Sequence, residues 1–161
     1  MLYFQQVFNN TNIRDKYIPQ DTSFSLGQVL WKDYTAEQGR QILKEMNDDL
    51  SMRLREHGKA TKRIGLAVFY TYAEAGGFSH QITLDYPTDD TDKLFDELAT
   101  IYDKYIGNHL VRRLYISFGQ LSSNEFEQLS FMDTDRNALT KKDMNKAIDS
   151  IKKRCISIFG E

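Results

Sequence analysis

Only one cysteine, Cys155, occurs in the 161 residues, which excludes a disulfide scaffold. A lone thiol fits a reducing cytosol. No apolar run approaches the ~18 residues that a membrane helix requires. The N-terminus, Met-Leu-Tyr-Phe-Gln-Gln, lacks the basic flank and apolar stretch of a signal peptide. The expectation is a cytoplasmic chain with no membrane partner. Catalytic signatures are also missing. His57, His80 and His109 have no Cys or Glu at metal-ligand spacing. No phosphate loop, GxSxG or HExxH occurs. The acids Asp85, Asp89, Asp90 and Asp92 suit a helix N-terminus better than a metal. A hydrolase built on His80 would lack any base and nucleophile at workable spacing. No catalytic residue, no metal ligand and no cofactor is therefore expected in this chain. Charge of one sign is scarce too: 21 Lys and Arg against 23 Asp and Glu leave a net charge of −2. That argues against wholesale coating of nucleic acid but leaves room for a local polar or basic face.

What is present is an ordinary globular composition, 40% hydrophobic and 27% charged, enough for one domain plus a small extension. Residues 1–22 show no clean period and read as a lead-in or linker. Ser23 to Trp31 reads as a strand, with Phe24, Leu26 and Leu30 on one side and Ser25, Gly27 and Val29 on the other. Thr35-Ala36-Glu37-Gln38 is a capping box that opens a helix running to His57, with Ile42, Met46, Leu50 and Leu54 as its apolar stripe. Lys62–Tyr72 and Phe78–Tyr86 read as strands joined by a turn that carries Gly76-Gly77. A second helix, Asp90 to Ile106, buries Leu94, Leu98, Ile101, Tyr102 and Tyr105. Val111 to Phe118 is a fourth strand, and residues 119–138 lack a sustained period. A last helix starting at Thr140 has Met144, Ala147 or Ile148, Ile151, Cys155 and Ile158 as its stripe, so Cys155 is expected in a core.

The order β-α-β-β-α-β predicts an α+β fold. A four-stranded antiparallel sheet carries two helices on one face, followed by a C-terminal loop and helix. The domain limits are 1–22 for the lead-in, 23–123 for the sheet domain and 124–161 for the loop and last helix. Alternation along the strands divides the sheet into two faces. Ile64, Leu66, Val68, Ile82, Leu84, Leu114, Ile116 and Phe118 suit the core. The other face carries Ser25, Gly27, Arg63, Gly65, Ala67, Ser79, Gln81, Thr83, Arg113, Tyr115 and Ser117, without a single acid. Small residues allow close approach of a bulky backbone, and hydroxyls, amides and guanidinium groups donate to phosphate oxygens. Lys59, Lys62 and Arg112 stand at neighbouring positions. A plain solvated face of an antiparallel sheet is the competing reading of the same residues.

Four stretches together resemble the C-terminal little-finger region of Y-family, UmuC-type lesion-bypass DNA polymerases (the ImpB/MucB/SamB family). They are Arg14–Pro19 with Ser25–Leu30 and Lys32–Thr35; Gly77–Leu84 with Pro87-Thr88 and Asp90-Thr91; Val111–Leu114 with Ile116–Phe118 and Leu121; and Gln128–Phe131. The resemblance implies a non-catalytic domain that grips primer–template duplex through its sheet, mostly at phosphates. The contact set on this chain would be Ser25, Gly27, Gln28, Lys62, Arg63, Ser79, His80, Gln81, Arg112 and Arg113. It also implies a sliding-clamp peptide at Gln128, Leu129, Ser130, Phe131 and Met132. Two places depart from the family pattern: Gln28 stands where many members carry arginine, and Phe131-Met132 where leucine-phenylalanine is usual. The partners implied are duplex DNA, a sliding clamp and the palm, fingers and thumb domains upstream. The parent's Mg2+ would be held by carboxylates of those domains, and this chain would have no polymerase activity of its own. The rival expectation is a protein-interaction module without DNA binding, using Gln128–Met132 or the last helix.

Overall fold

A computed structural model describes residues 23–123 and 136–159. Seven elements follow in order: β1 (Ser23–Tyr34), α1 (Ala36–Glu56), β2 (Lys59–Tyr70), β3 (Gly77–Thr88), α2 (Thr91–Tyr105), β4 (Val111–Ser123) and α3 (Arg136–Phe159). Local chemistry accounts for the element ends. The Thr35 hydroxyl accepts a hydrogen bond from the Gln38 amide at 3.3 Å, and the Thr35 amide donates to Gln38 Oε1 at 3.1 Å. This reciprocal pair satisfies two amides that the first turn of α1 leaves open. At the far end Gly58 adopts φ +58°, a left-handed conformation that suits glycine and stops the helix. α2 is capped by Asp90, whose carboxylate accepts from the Asp92 amide at 3.0 Å.

The strands form one antiparallel sheet in the order β1-β4-β2-β3, with α1 and α2 packed together on one face. The core lies between. Leu43, Leu50 and Leu54 from α1 and Leu94, Leu98 and Tyr102 from α2 meet Ile64, Leu66, Val68, Leu114, Ile116 and Phe118 from the two central strands. Each fully buried aliphatic side chain contributes roughly 1.5–3 kcal/mol before the entropy of ordering is subtracted. The α+β architecture is the one the periodicities predict.

Three local expectations are corrected. β2 begins at Lys59 rather than Lys62, and β4 continues to Ser123 rather than ending at Phe118. These polar ends pair with each other, Lys59 with Ser123 and Ala60 with Ser122, and Gln120 at φ +51° breaks the alternation that would have marked a strand. Cys155 is exposed, not buried. Met144, Ala147, Ile148 and Ile151 are exposed with it, while Ile158 lies outside the described side chains. α3 turns its charged side toward α1 instead. Arg55 Nε and one of its terminal nitrogens donate to the two carboxylate oxygens of Asp149 at 2.7 and 2.9 Å. Lys152 and Lys153 reach Asp48 and Glu56. An apolar period shows that a helix has an apolar side; which side docks depends on the neighbour, and the outer surface of α1 is charged.

Candidate nucleic-acid interface

With α1 and α2 on one side, the odd-numbered residues of the paired strand segments look out from the other. Antiparallel partners point the same way, so the strand register resolves this open face into four rows across β1, β4, β2 and β3. They read Ser23, Gly119, Arg63, Thr83; then Ser25, Ser117, Gly65, Gln81; then Gly27, Tyr115, Ala67, Ser79; then Val29, Arg113, Phe69, Gly77. None is an acid. The first acid along β3, Asp85, falls beyond the first row, in the irregular stretch between Thr83 and Thr88.

The floor of this face is flat because its centre is built from small residues. A Cβ on Gly65 would meet Ser117 Oγ at 2.6 Å, and one on Gly27 would meet the Tyr115 ring at 3.1 Å. Glycine at these two positions is what lets Ser117 and Tyr115 lie low against the sheet. Among the described residues neither Arg63 nor Arg113 has an ion-pair partner. Arg113 instead lies over the Phe69 ring, 5.4 Å from its centroid. The face thus presents two uncompensated cations among hydroxyl and amide donors, which is an anion-accepting surface of low net charge.

Six of the ten residues expected to contact DNA share this face: Ser25, Gly27, Arg63, Ser79, Gln81 and Arg113. The other four do not join them. Gln28 stands opposite Leu114, and His80 opposite Leu66, so both leave from the helix-bearing side. His80 stacks on Tyr105 of α2 with ring centroids 3.9 Å apart. Arg112 alternates away from Arg113 and faces Asp33 at 3.6 Å. Lys62, half-buried at the register shift of β2, alternates away from Arg63. Strand position accounts for this split. Gln28 and His80 sit on β1 and β3, the sheet's outer strands, where core-side positions near the rim tolerate polar groups because the helices do not fully cover them. The clamp-peptide residues Gln128, Leu129, Ser130, Phe131 and Met132 lie outside the described residues.

Sequence reasoning missed Phe69, which continues the alternation of Arg63, Gly65 and Ala67 and is exposed beside Arg113. It also gave no weight to Trp31 and Val29, exposed at the same end of the sheet. Extending the period to the ends of β1 and β2 would have found Trp31 and Phe69; Val29 already stood on that side of the alternation and needed only to be counted with the face. Among the described residues no group of three or more His, Cys, Asp or Glu is placed to hold a metal ion. No helix among them is long and apolar enough to cross a membrane.

Comparison with known proteins adds a family. Residues 22–131 match the impB/mucB/samB family C-terminal domain. The "Putative UV-damage repair protein UvrX" of Bacillus subtilis (strain 168) is 29% identical over 115 residues, 70% of this chain and 28% of that protein. The "DNA repair protein homolog YobH" of the same organism is 31% identical over 85 residues, 52% of this chain and 39% of that protein. "DNA polymerase IV 2" of Halalkalibacterium halodurans is 26% identical over 137 residues, 84% of this chain and 32% of that protein. The chain thus spans between 28% and 39% of the length of these relatives. Among solved structures, the "Complex of beta-clamp processivity factor and little finger domain of PolIV" aligns with 62% of this chain and 89% of that one, at 13% identity and a TM-score of 0.49.

Proposed function

The chain belongs to the impB/mucB/samB family, to its C-terminal domain, and on that footing we propose that it is the non-catalytic DNA-binding domain of a Y-family translesion polymerase. Its open sheet face grips primer–template duplex by the phosphates. The observation that carries this is the set of four acid-free rows with Arg63 and Arg113 unpaired among small donors. Four strands at about 4.8 Å spacing make a face roughly 14 Å across. That width is close to the ~12 Å of a B-DNA major groove, so donors at its two edges reach the phosphates on either side. Such contacts position the duplex and carry little sequence information, which suits an enzyme that accepts damaged templates.

The remaining parts of the proposal follow from the family. Phosphoryl transfer and its Mg2+ belong to palm, fingers and thumb domains of a parent polymerase, working in the cytoplasm. Gln128, Leu129, Ser130, Phe131 and Met132 tether that parent to a sliding clamp. The glutamine amide enters a polar pocket, and Leu129 and Phe131 fill an apolar groove.

The duplex reading is tested with the Arg63→Ala/Arg113→Ala variant and a labelled primer–template, followed by anisotropy between 50 and 200 mM salt. Each lost phosphate contact lowers the slope of log K against log salt by about 0.9, so the double variant should lose about 1.8. An unchanged affinity and slope would remove the sheet face from consideration. A peptide of residues 124–135 titrated onto a sliding clamp tests the tether; failure to compete with other clamp ligands rejects it.

A further inference from the structure

The open face is not uniform. Its first two rows carry no aromatic, but the two next to the β2–β3 turn carry Tyr115 and Phe69. Phe69 and Tyr115 are 45% and 42% exposed, Val29 61% and Trp31 77%. Phe69 lies on β2 and Tyr115 on β4, the two central strands. Because Phe69 pairs with Arg113 and Ala67 with Tyr115, the two rings are diagonal neighbours on one face. A depression of about 430 Å³ opens between them, floored by Gly27 and Ala67 and walled by Val29 and Arg113. Phosphates gain from Arg113 but nothing from the rings and aliphatic groups beside it, and leaving those in water is costly.

We propose that this end of the face is a stacking platform for unpaired bases of single-stranded nucleic acid. Two exposed aromatics on the adjacent central strands of a four-stranded sheet, with helices confined to the other side, are the arrangement by which sheet domains stack successive bases. The charges agree. Arg113 lies 5.4 Å from the Phe69 ring centroid and Lys32 4.9 Å from that of Trp31. The acids on the bordering segments are engaged: Asp33 accepts from Thr71 at 2.8 Å, and Glu74 meets His109 at 2.9 Å. Stacked bases would bring their phosphates alongside these cations. The polar rows hold duplex and the aromatic end holds the strand that leaves it, so the proposal rests on the reading of this face as a nucleic-acid surface.

The test uses the whole 161-residue chain. Anisotropy is measured with a labelled single strand of about 12 nucleotides, with an abasic strand of equal length, and with duplex. Quenching of Trp31, the sole tryptophan, gives a second readout at the site. The base-bearing strand should bind about ten-fold more tightly than the abasic one, and Phe69→Ala/Tyr115→Ala should erase that difference while leaving duplex affinity within about two-fold. Phe69→Leu, which keeps apolar bulk and the fold but not the π face, should lose most of the same preference. Equal binding of the base-bearing and abasic strands overturns the platform and leaves the duplex reading standing. Loss of duplex binding alone, in Arg63→Ala, leaves the platform standing. Concentration-dependent self-association that consumes the Trp31 signal without nucleic acid overturns it in favour of a protein partner.

Discussion

Replacing Asp149 by alanine should release α3 from the domain while leaving the sheet and its two helices folded. Arg55 sits between three elements. It donates to both oxygens of Asp149, to the Asp89 carbonyl at 3.0 Å and to the Thr91 hydroxyl at 2.7 Å. Its side chain is 11% exposed and that of Asp149 13%, so the pair is shielded from solvent on both sides. Burial alone would lower the Arg55 pKa, but the hydrogen bonds and charge of Asp149, with Asp89 and Asp48 behind it, more than offset this and hold it above the ordinary value. Losing two charge-assisted bonds weakens docking of α3 by roughly 2–4 kcal/mol, because with α3 in place the guanidinium would be left buried with only two neutral acceptors. The other ion pairs from α3 to α1, Lys152–Asp48 at 3.7 Å and Lys153–Glu56 at 2.8 Å, are more exposed and together add about 1 kcal/mol. Hydrogen exchange should therefore speed up about 30- to 1,000-fold across 136–159, while amides of β2 and β4 keep their protection. An Arg55→Met/Asp149→Ala double variant should cost less than the sum of the singles. Unchanged exchange in α3 after Asp149→Ala would refute the idea that this pair holds the helix.

Gly39 lies where α1 crosses α2, and a Cβ there would collide with the Tyr102 hydroxyl and approach Val111 at 3.0 Å. Gly39→Ala gains about 1 kcal/mol of helix propensity but costs about 1–3 in overpacking and about 1 more if the Tyr102 bond to the Ala36 carbonyl is displaced, so urea denaturation should show net destabilisation. Tyr102→Phe removes the offending oxygen and should make Gly39→Ala milder in that background. The same phenol sets a pH limit: burial, reinforced by Asp103, raises the Tyr102 pKa above the ordinary 10.0. Above pH 10 the unfolded chain ionises there and the folded chain does not, so stability should fall as pH rises from that point. The Tyr102→Phe protein should lack this part of the decline; an identical alkaline profile in both proteins would exclude Tyr102 as its source.

The helices α1 and α2 were legible because everything that defines them is local. The Thr35–Gln38 box, the Asp90 cap and the four-residue recurrence of Met46, Leu50 and Leu54 all lie within a turn or two of the groups they satisfy. The two faces of the sheet were legible for the same reason, since alternation is a property of each strand by itself. Gln28 and His80 entered the contact set through the family resemblance, although the same alternation sets them on the side opposite Ser25, Gly27, Ser79 and Gln81; that polar groups are tolerated there depends on β1 and β3 being the outer strands. The stripe of Met144, Ile148 and Ile151 did not say that α3 would turn it outward.

By itself, then, the sequence determined the element types, their caps and which side chains share a face, down to the acid-free set around Arg63 and Arg113. Only tertiary structure decided the strand order that makes β2 and β4 neighbours, setting Phe69 diagonally beside Tyr115, and the pairing of Arg55 with Asp149, 94 residues apart. The division has a physical origin. Backbone periodicity and capping act over a few residues, whereas pairing partners and docking faces are chosen by packing between segments whose separation along the chain carries no trace of the choice.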